Sequence, residues 1–494
     1  MGNERWDVVV AGAGNAALCA ALSAREEGAD VLVLEAAPEH ERGGNSYFVG
    51  GLVRFPYAGI DEIRALIPDL SDDEVERIDV GSYGEEQFFE DLARVTDYEA
   101  DPELISVLVS RAYPTMEWLA GKGLRFSLAL GRQAFESGDV FKFWGNAPVE
   151  YAGGGPGLVD GLCEIAESDG VEIRYETRAR SLIVSDEGRI EGIVVRSEGA
   201  ESRIRAGAVV LATGGFEANP EMRAKYLGPN WDVAKVRGTA HNTGDGLTMA
   251  MEAGARPYGN FSGCHAVAWD ANAPPTGDRK VGDGYQKHSY PLGIVVNRDG
   301  KRFVDEGADF RNYTYAKYGR EILNQPGRVA FQIFDSQVTH LLRDEYTIRE
   351  VTKAESDSLE EVATELGIDP EGLDRTVEAF NASVTDDEFR PAVLDGKRTV
   401  GIDPPKSNWA LPLEKPPYMG YAVTCGITFT FGGLKVDTDA RVLDLDDHPI
   451  AGLAAAGELV GGLYYHNYAG GTGLSSGAVF GRIAGRTAGR FATG

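Results

Sequence analysis

The sequence predicts an α/β fold in which a dinucleotide-binding parallel sheet is divided along the chain and receives a second, inserted domain. Three observations carry this. The chain opens on a strand, a glycine turn, a helix, a second strand and an acid. Glycine-rich strand ends return at 209–215 and again at 455–475. Between these returns, from about residue 260, aromatic and loop-forming residues replace the alternation of buried strands and helices.

Residues 6–11 (WDVVVA) form a Val-rich apolar run, as a strand buried on both faces requires. Gly12, Gly14, Asn15, Ala16 and Ala17 follow, then the helical stretch LCAALSAREEG and a second buried strand at 30–34 that ends in Glu35. Gly12 permits the turn, Gly14 lets a pyrophosphate approach the helix N-terminus, and Glu35, 21 residues beyond Gly14, is placed to accept ribose hydroxyls. This unit alone does not separate FAD from NAD. Arg42, Gly43, Gly44, Asn45 and Ser46, then Gly50 and Gly51, follow the acid closely and suggest a second backbone cradle, for the diphosphate and a flavin.

Residues 60–130 read as amphipathic helices with acidic outer faces. The glycines of 153–157 precede a further helix, and strand-like segments at 171–185, 189–197 and 201–215 read as a meander feeding back into the parallel sheet. Ala179 lies on that meander, and the run VVLATGG offers Thr213 and Gly214 as neighbours of a nucleotide. Helices are expected at 355–366 and 371–385, and a Rossmann-like return closes the chain. The expected division is 1–259 and 430–494 for the nucleotide-binding domain and 260–429 for the inserted one.

Composition narrows the function. With 48 Lys+Arg against 77 Asp+Glu, the net charge is -29, a field that repels phosphate backbones and anionic lipid surfaces. No nucleic-acid partner is expected, and an anionic substrate needs a local basic site. Four cysteines lie far apart with no CxxC pair, so no metal or iron–sulfur site is expected and a reducing compartment fits. No apolar run is long enough to span a bilayer, and with the first strand starting at Trp6 no leader is expected; the reading is cytoplasmic. The 63 glycines in 494 residues are nearly twice the usual share of about 7%.

The runs GAGNAA (12–17), GGNS (43–46), VLATGGF (210–216), TGDG (243–246), VVNRDGKRFVDE (295–306), FGGL (431–434), AAGELVGG (455–462) and VFGRIAGRTAG (479–489) resemble the flavoprotein family of fumarate reductase and succinate dehydrogenase, with 3-ketosteroid dehydrogenases as relatives. They keep the family's order and cover essentially the whole chain. The resemblance implies a Rossmann-like FAD-binding domain of the GR2 flavoprotein type with an inserted α+β capping domain that closes over the flavin. It implies that Asp245 touches the flavin side of the diphosphate, that Glu458 hydrogen-bonds the ribityl chain, and that Gly473, Leu474 and Ser475 open the last helix toward the flavin. Respiratory members bond FAD covalently through a histidine after the cradle serine. Here Tyr47 follows Ser46, so the FAD is expected to be noncovalent.

The family's chemistry moves a hydride between a substrate carbon and the flavin while a protein group exchanges a proton at the adjacent carbon. In fumarate reductases that group is an arginine shortly after the RF-x-NE run, which points to Arg311, with Asp309 or Glu306 as a relay to solvent; the alternative is that Arg311 only binds a carboxylate. His265 stands where the family keeps a substrate histidine. Two departures tell against a plain fumarate reductase: Phe429 before Thr430, and Tyr468, replace a histidine and a carboxylate-clamping arginine.

The runs around Arg311, Thr430 and Tyr468 look instead like the tricarballylate dehydrogenase branch. Arg311, Arg54, Lys287, His265, His288 and His466 are the cations available to a polycarboxylate, and Tyr313, Tyr315 and Tyr468 serve either as hydrogen-bond donors and proton relays or as core aromatics. The expected activity is FAD-dependent desaturation of a C–C bond next to a carboxylate, tricarballylate to cis-aconitate. The alternatives are an ene reductase of an unsaturated acid and a steroid-type dehydrogenase. A separate electron acceptor, a protein or a quinone-linked partner, is required, because no haem or cluster motif is present.

Overall fold

The computed structural model describes residues 4–494, and the chain falls into two compact units. Unit 1 comprises Met1–Asp232, Gly238–Cys264 and Phe429–Gly494; unit 2 comprises Val233–Arg237 and His265–Thr428. The expected inserted segment, 260–429, omits the short stretch at 233–237. Its strand Lys235–Val236 is too short to carry a periodic signal, and it joins unit 2 by parallel pairing with Gly426 and Ile427 and through Lys235 Nζ, which donates to the Ala271 carbonyl at 2.8 Å.

Unit 1 is built on an eight-stranded sheet. Strands Glu172–Arg174, Val31–Leu34, Arg5–Ala11, Ala200–Leu211 and Pro449–Ala455 run parallel in that spatial order. Val8, Val9, Val10, Val31, Leu32 and Val33 are fully buried, as the continuous apolar runs of a two-sided parallel sheet require. The strand Ala200–Leu211 changes partner along its length: 200–205 pair antiparallel with Ile190–Ser197, and 205–211 pair parallel with Arg5–Ala11. That single long strand is how the meander returns to the sheet. The stretch read as one strand at 171–185 is two, Glu172–Arg174 and Arg178–Val184, on different edges of the sheet. Glu176 between them takes a left-handed φ of 51°.

The acidic segment at 60–130 forms four helices: Ile60–Leu66, Asp72–Glu76, Glu85–Val95 and Pro102–Gly121. The last begins where the sequence dictates. Asp101 Oδ1 accepts from the Glu103 and Leu104 N–H groups at 3.0 and 3.3 Å, and Pro102 takes the first helical position. The hairpin Ala134–Ser137 with Val140–Phe143 was not expected; its half-exposed residues show no clean alternation of apolar and polar positions.

Unit 2 is a six-stranded sheet around Tyr418–Thr430. Helices Leu359–Leu366 and Pro370–Ser383 form near the expected ranges. Their Val362, Leu373 and Phe380 share one core with Phe331 and Ile333 of the strand Ala330–Asp335.

The first and last helices of unit 1, Asn15–Glu26 and Thr472–Thr493, approach closely because the last one carries glycine every fourth residue. A Cβ on Gly481 would lie 2.4 Å from the Ala16 carbonyl oxygen, and one on Gly485 would lie 2.0 Å from that of Ala20. Gly485→Ala therefore sets a gain in helix propensity of about 1 kcal/mol against a backbone overlap costing typically 1–3 kcal/mol or more. The overlap dominates, because the backbone it strikes cannot turn aside. Urea unfolding is expected to show a net loss of stability for Gly485→Ala. The control Gly367→Asn, at a left-handed helix end with open space around it, is expected to change little.

Candidate active site

The glycine turn of unit 1 is sterically committed. Gly12 has a φ of 106°, and a Cβ there would stand 2.3 Å from the Ala212 carbonyl oxygen. Gly14 caps the first helix, and the Asn15 N–H donates to Ser46 Oγ at 3.0 Å, which ties the second cradle to the first. Glu35 accepts from the Ala13 N–H at 3.0 Å through Oε2 and from the Ala37 N–H at 2.8 Å through Oε1. Each oxygen keeps a lone pair for a ribose hydroxyl. Gly43 and Gly44 both have left-handed φ, 99° and 54°, and a Cβ on Gly51 would strike Gly154 Cα at 2.8 Å. Arg42 donates to Asp160 at 3.0 Å. Asp245 is ion-paired with Arg178 at the start of the helix Asp245–Glu252. Ala179 is buried on the adjoining strand.

Two features of this unit fit a bound dinucleotide. Thr213 Oγ1 is buried with no hydrogen-bond partner among the described residues. Backbone also lies open in the two cradles: a Cβ on Gly44 would meet nothing nearer than Asn242 Oδ1 at 3.9 Å, and one on Gly14 nothing nearer than Ser46 Oγ at 3.4 Å. An orphan hydroxyl among such turns suits phosphate and ribose oxygens. Asn15 Nδ2 donates to the Leu474 carbonyl at 2.8 Å, which brings the start of the last helix to the first turn.

At that helix start, Tyr468 OH accepts from the Gly471 and Gly473 N–H groups, both at 3.1 Å. Its ring packs edge-on to Phe429 and Tyr464, with centroids 5.2 and 5.3 Å apart. Ser475 Oγ donates to the Arg54 carbonyl at 2.6 Å and accepts from the Arg54 N–H at 3.0 Å, so its hydroxyl holds the protein backbone. Arg54 donates to the Gly470 carbonyl at 2.8 Å and to Tyr83 OH at 3.2 Å; fully buried, it locks loop to helix. His466 has a 45% exposed side chain, with Nε2 3.4 Å from Glu99 Oε1. The structure thus places Phe429, Thr430 and Tyr468 near one another in unit 1 and leaves His466 at the surface against its own counter-ion.

Glu217, which the sequence reading passed over, is the most constrained acid of this unit. It is fully buried, and its Oε1 accepts from Asn45 Nδ2 and Asn242 Nδ2, both at 2.6 Å. Glu458 Oε1 accepts from the Thr430 N–H at 2.7 Å and Thr430 Oγ1 at 3.1 Å. The two carboxyls act on each other, and no donor among the described residues reaches Glu217 Oε2. A proton on one of them reconciles these facts. Burial first, and then the Glu458 charge, push Glu217 well above the usual carboxyl range, so Glu217 holds the proton and Glu458 accepts it. The available signal was its place two residues past the Gly214-Gly215 strand end, although an acid there reads first as a solvated turn residue.

In unit 2, the strand Cys264–Asp270 carries His265, and Arg311 and Tyr315 open the consecutive turns Arg311–Tyr313 and Tyr315–Lys317. His265 and His288 are both 2% exposed. Each stands edge-on to the Tyr315 ring, with centroids 4.9 Å away at 79° and 70°. Arg311 Cζ lies 5.7 Å from the centre of the same ring. Tyr313 is buried in the turn beside them.

Burial, and then Arg237, hold His265 well below the usual imidazole range; burial, then Arg311, Arg237 and Arg343, do the same to His288. Burial and the Arg343 charge push Arg311 down to about 9, so it stays charged at neutral pH. The other cations have answering acids. Arg237 pairs with Asp283 at 2.7 Å and Arg343 with Glu345 at 2.8 Å. Lys287 is held by Asp270 at 3.6 Å and by three carbonyls, which takes it out of the set of substrate cations. Glu306 is likewise no relay: it accepts from Arg302 and from the Val295 N–H. Arg311 Nη2 is buried with no hydrogen-bond partner among the described residues. A buried cation without its anion is costly, and an anionic ligand removes the cost.

The Glu217 pair gives a pH test. Its raised value in the fold stabilises the protein fully below the ordinary carboxyl range, near 4.5, and that contribution is lost as pH rises through the raised value. Glu217→Gln keeps an acceptor for both asparagines and donates permanently to Glu458. Melting temperature measured against pH is expected to fall less toward alkaline pH in this variant than in the parent. Glu217→Ala leaves the buried Asn242 amide donor unmet and takes an acceptor from the half-buried Asn45, and a loss of at least about 1–3 kcal/mol is expected at every pH.

The model of a family described as the FAD binding domain matches residues 7–474. A probable fumarate reductase, Ifc3, of Shewanella frigidimarina (strain NCIMB 400) is 30% identical across 97% of this chain and 74% of its own length. The urocanate reductase of Eggerthella lenta is 30% identical across 97% of this chain and 73% of its own length. Among solved structures, the open conformation of a flavocytochrome c3 fumarate reductase matches with a TM-score of 0.75 at 29% identity, covering 99% of this chain and 79% of that one. The 3-ketosteroid-delta4-(5alpha)-dehydrogenase of Rhodococcus jostii RHA1 matches with a TM-score of 0.70 at 26% identity, covering 99% and 98%. No helix among the described residues is long and apolar enough to cross a membrane. With its glycine cradles matched along nearly the whole length, the chain belongs to the FAD-binding domain family and is an FAD-dependent oxidoreductase of the fumarate reductase type.

Proposed function

We propose that the enzyme desaturates the C–C bond next to a carboxylate, with tricarballylate as substrate and cis-aconitate as product. The observation that carries this reading is the buried Arg311, whose Nη2 has no partner among the described residues while Arg237 and Arg343 beside it are answered by acids. A site holding one uncompensated cation and two neutral imidazoles suits an anion with several oxygens. When bound, FAD supplies the acceptor for a hydride leaving the β-carbon.

The chain's own groups do the rest. Arg311 and His265 hold the carboxylate next to the carbon that loses its proton, and the charge building on that enolate-like carboxylate falls against a fixed cation in a water-poor site. Taking that proton requires the neutral form of Arg311, a minor fraction at neutral pH that grows as pH approaches about 9. Tyr315 packs both histidines in place through its ring edges. The electrons pass to a separate acceptor, a protein or a quinone-linked partner.

The reverse reaction, reduction of an unsaturated acid, uses the same groups, and the names of the relatives favour that reading as the second: a fumarate reductase and a urocanate reductase. A steroid is the poorer ligand, because a neutral ring system leaves the Arg311 charge unanswered.

Anaerobic titration of the FAD-loaded protein with tricarballylate is expected to bleach the flavin absorbance with cis-aconitate formed. An unbleached flavin overturns tricarballylate as substrate, and oxidation of the reduced flavin by unsaturated acids then tests the second reading. Arg311→Ala is expected to keep its FAD and lose at least about a hundredfold in the rate of flavin reduction. A rate within a few fold of the parent's would remove Arg311 from the chemistry.

A further inference from the structure

The sequence offers His288 among the cations for a polycarboxylate, the proposed reaction gives it no specific contact, and its surroundings are unusual. It is 2% exposed, and neither ring nitrogen has a hydrogen-bond partner among the described residues. A buried imidazole normally spends at least one nitrogen on a carbonyl, a carboxylate or an ordered water. Leaving both unmet is costly, and here the cost falls on a residue that also shares the Tyr315 ring with Arg311.

The charges around it explain why no internal partner has taken it. Arg311, Arg237, Arg343 and His265 all bear on His288. The acids of this region are engaged elsewhere: Asp283 by Arg237, Glu345 by Arg343 and Asp270 by Lys287. The nearby hydroxyls are engaged too. Tyr346 OH accepts from the Ser289 N–H, and Tyr290 OH pairs with Thr314 Oγ1 at 2.6 Å. What is missing beside His288 is an anionic acceptor, and Arg311 lacks the same thing.

We propose that His288 is a direct substrate contact, its ring N–H donating to a second carboxylate of a di- or tricarboxylate whose first carboxylate is held by Arg311. This rests on the reading of the enzyme as one acting on a carboxylic acid, and it adds what that reading lacks, the feature that selects polycarboxylates over monocarboxylates. A neutral imidazole donor suits this task. It satisfies one oxygen of a carboxylate without adding another buried charge to a cluster that already has one in excess. Removing it leaves a polycarboxylate with a desolvated, unanswered oxygen, whereas a monocarboxylate loses nothing.

The test uses the FAD-loaded full-length protein and its His288→Leu and His288→Asn variants. Binding of tricarballylate, succinate and propionate is read from perturbation of the oxidised flavin spectrum, or from the concentration dependence of bleaching where reduction occurs. The expected result for His288→Leu is a loss of tenfold or more in affinity for tricarballylate and succinate, with propionate unchanged and the limiting rate of flavin reduction within a few fold of the parent's. His288→Asn, which keeps a donor and covers the case in which the leucine variant fails to fold, is expected to recover part of the loss.

Equal affinities for tricarballylate in the parent and both variants would overturn the contact, as would a loss that falls equally on propionate. Tricarballylate bound tightly by the parent without bleaching would sink the proposed reaction and leave the His288 contact to the affinity comparison. Bleaching by tricarballylate with unchanged half-saturation in His288→Leu would sink the contact alone.

Discussion

The contact on which unit 1 depends is the backbone-to-backbone approach of its first and last helices. Gly477, Gly481, Gly485 and Gly489 recur every fourth residue along Thr472–Thr493, and at Gly481 and Gly485 the Ala16 and Ala20 carbonyls leave no room for a methyl group. Chain ends more than four hundred residues apart are thereby registered against each other, and the Asn15 amide completes the register by donating to the Leu474 carbonyl at 2.8 Å. Both helices point their N-termini into the same glycine-rich region. Two macrodipoles and a set of backbone N–H groups then converge where the anionic part of a dinucleotide belongs. The glycine excess in the composition is in large part the cost of that convergence.

The parts of this structure that sequence reasoning reached are those in which one residue type answers a steric demand. Gly12, Gly43 and Gly51 were readable because a tight turn or a close backbone approach tolerates nothing else, and the buried strands were readable because a two-sided parallel sheet needs unbroken apolar runs. The chain could not announce by type which polar groups would spend themselves on each other. Arg54, Lys287 and His466 look like substrate cations in a list of residues. In three dimensions Arg54 bonds Gly470 and Tyr83, Lys287 meets Asp270 and three carbonyls, and His466 meets Glu99. Whether a cation is available depends on whether its counter-ion folds beside it, and Asp270 lies 17 positions from Lys287 while Glu99 lies 367 from His466. No local pattern encodes that.

Glu217 was missed for the converse reason. An acid following a glycine strand end reads as a solvated turn residue, yet the strand Ala200–Leu211 carries it into a closed interior against Glu458. Two acids there need one proton between them, and the pair then orders both Asn45 of the second cradle and Asn242 from a distant loop. The proton acts as a fastener in place of a metal or a salt bridge.

Charge ties these points together. The chain carries a net charge of -29, so any anionic ligand approaches against the long-range field, and within about 8–10 Å at physiological salt the local potential takes over. A cluster that neutralised every cation internally would leave such a ligand no reason to bind. Unit 2 instead answers Arg237 and Arg343 with Asp283 and Glu345, while among the described residues Arg311 Nη2 meets no partner. The answered pairs hold the framework rigid, and the unanswered one gives the ligand its binding energy. Had Arg311 carried its own acid, ligand binding would have to break an ion pair before making one, and selectivity for an anion would be spent on the exchange. The uncompensated charge destabilises the empty unit, and this cost is the free energy that an anionic ligand recovers on binding.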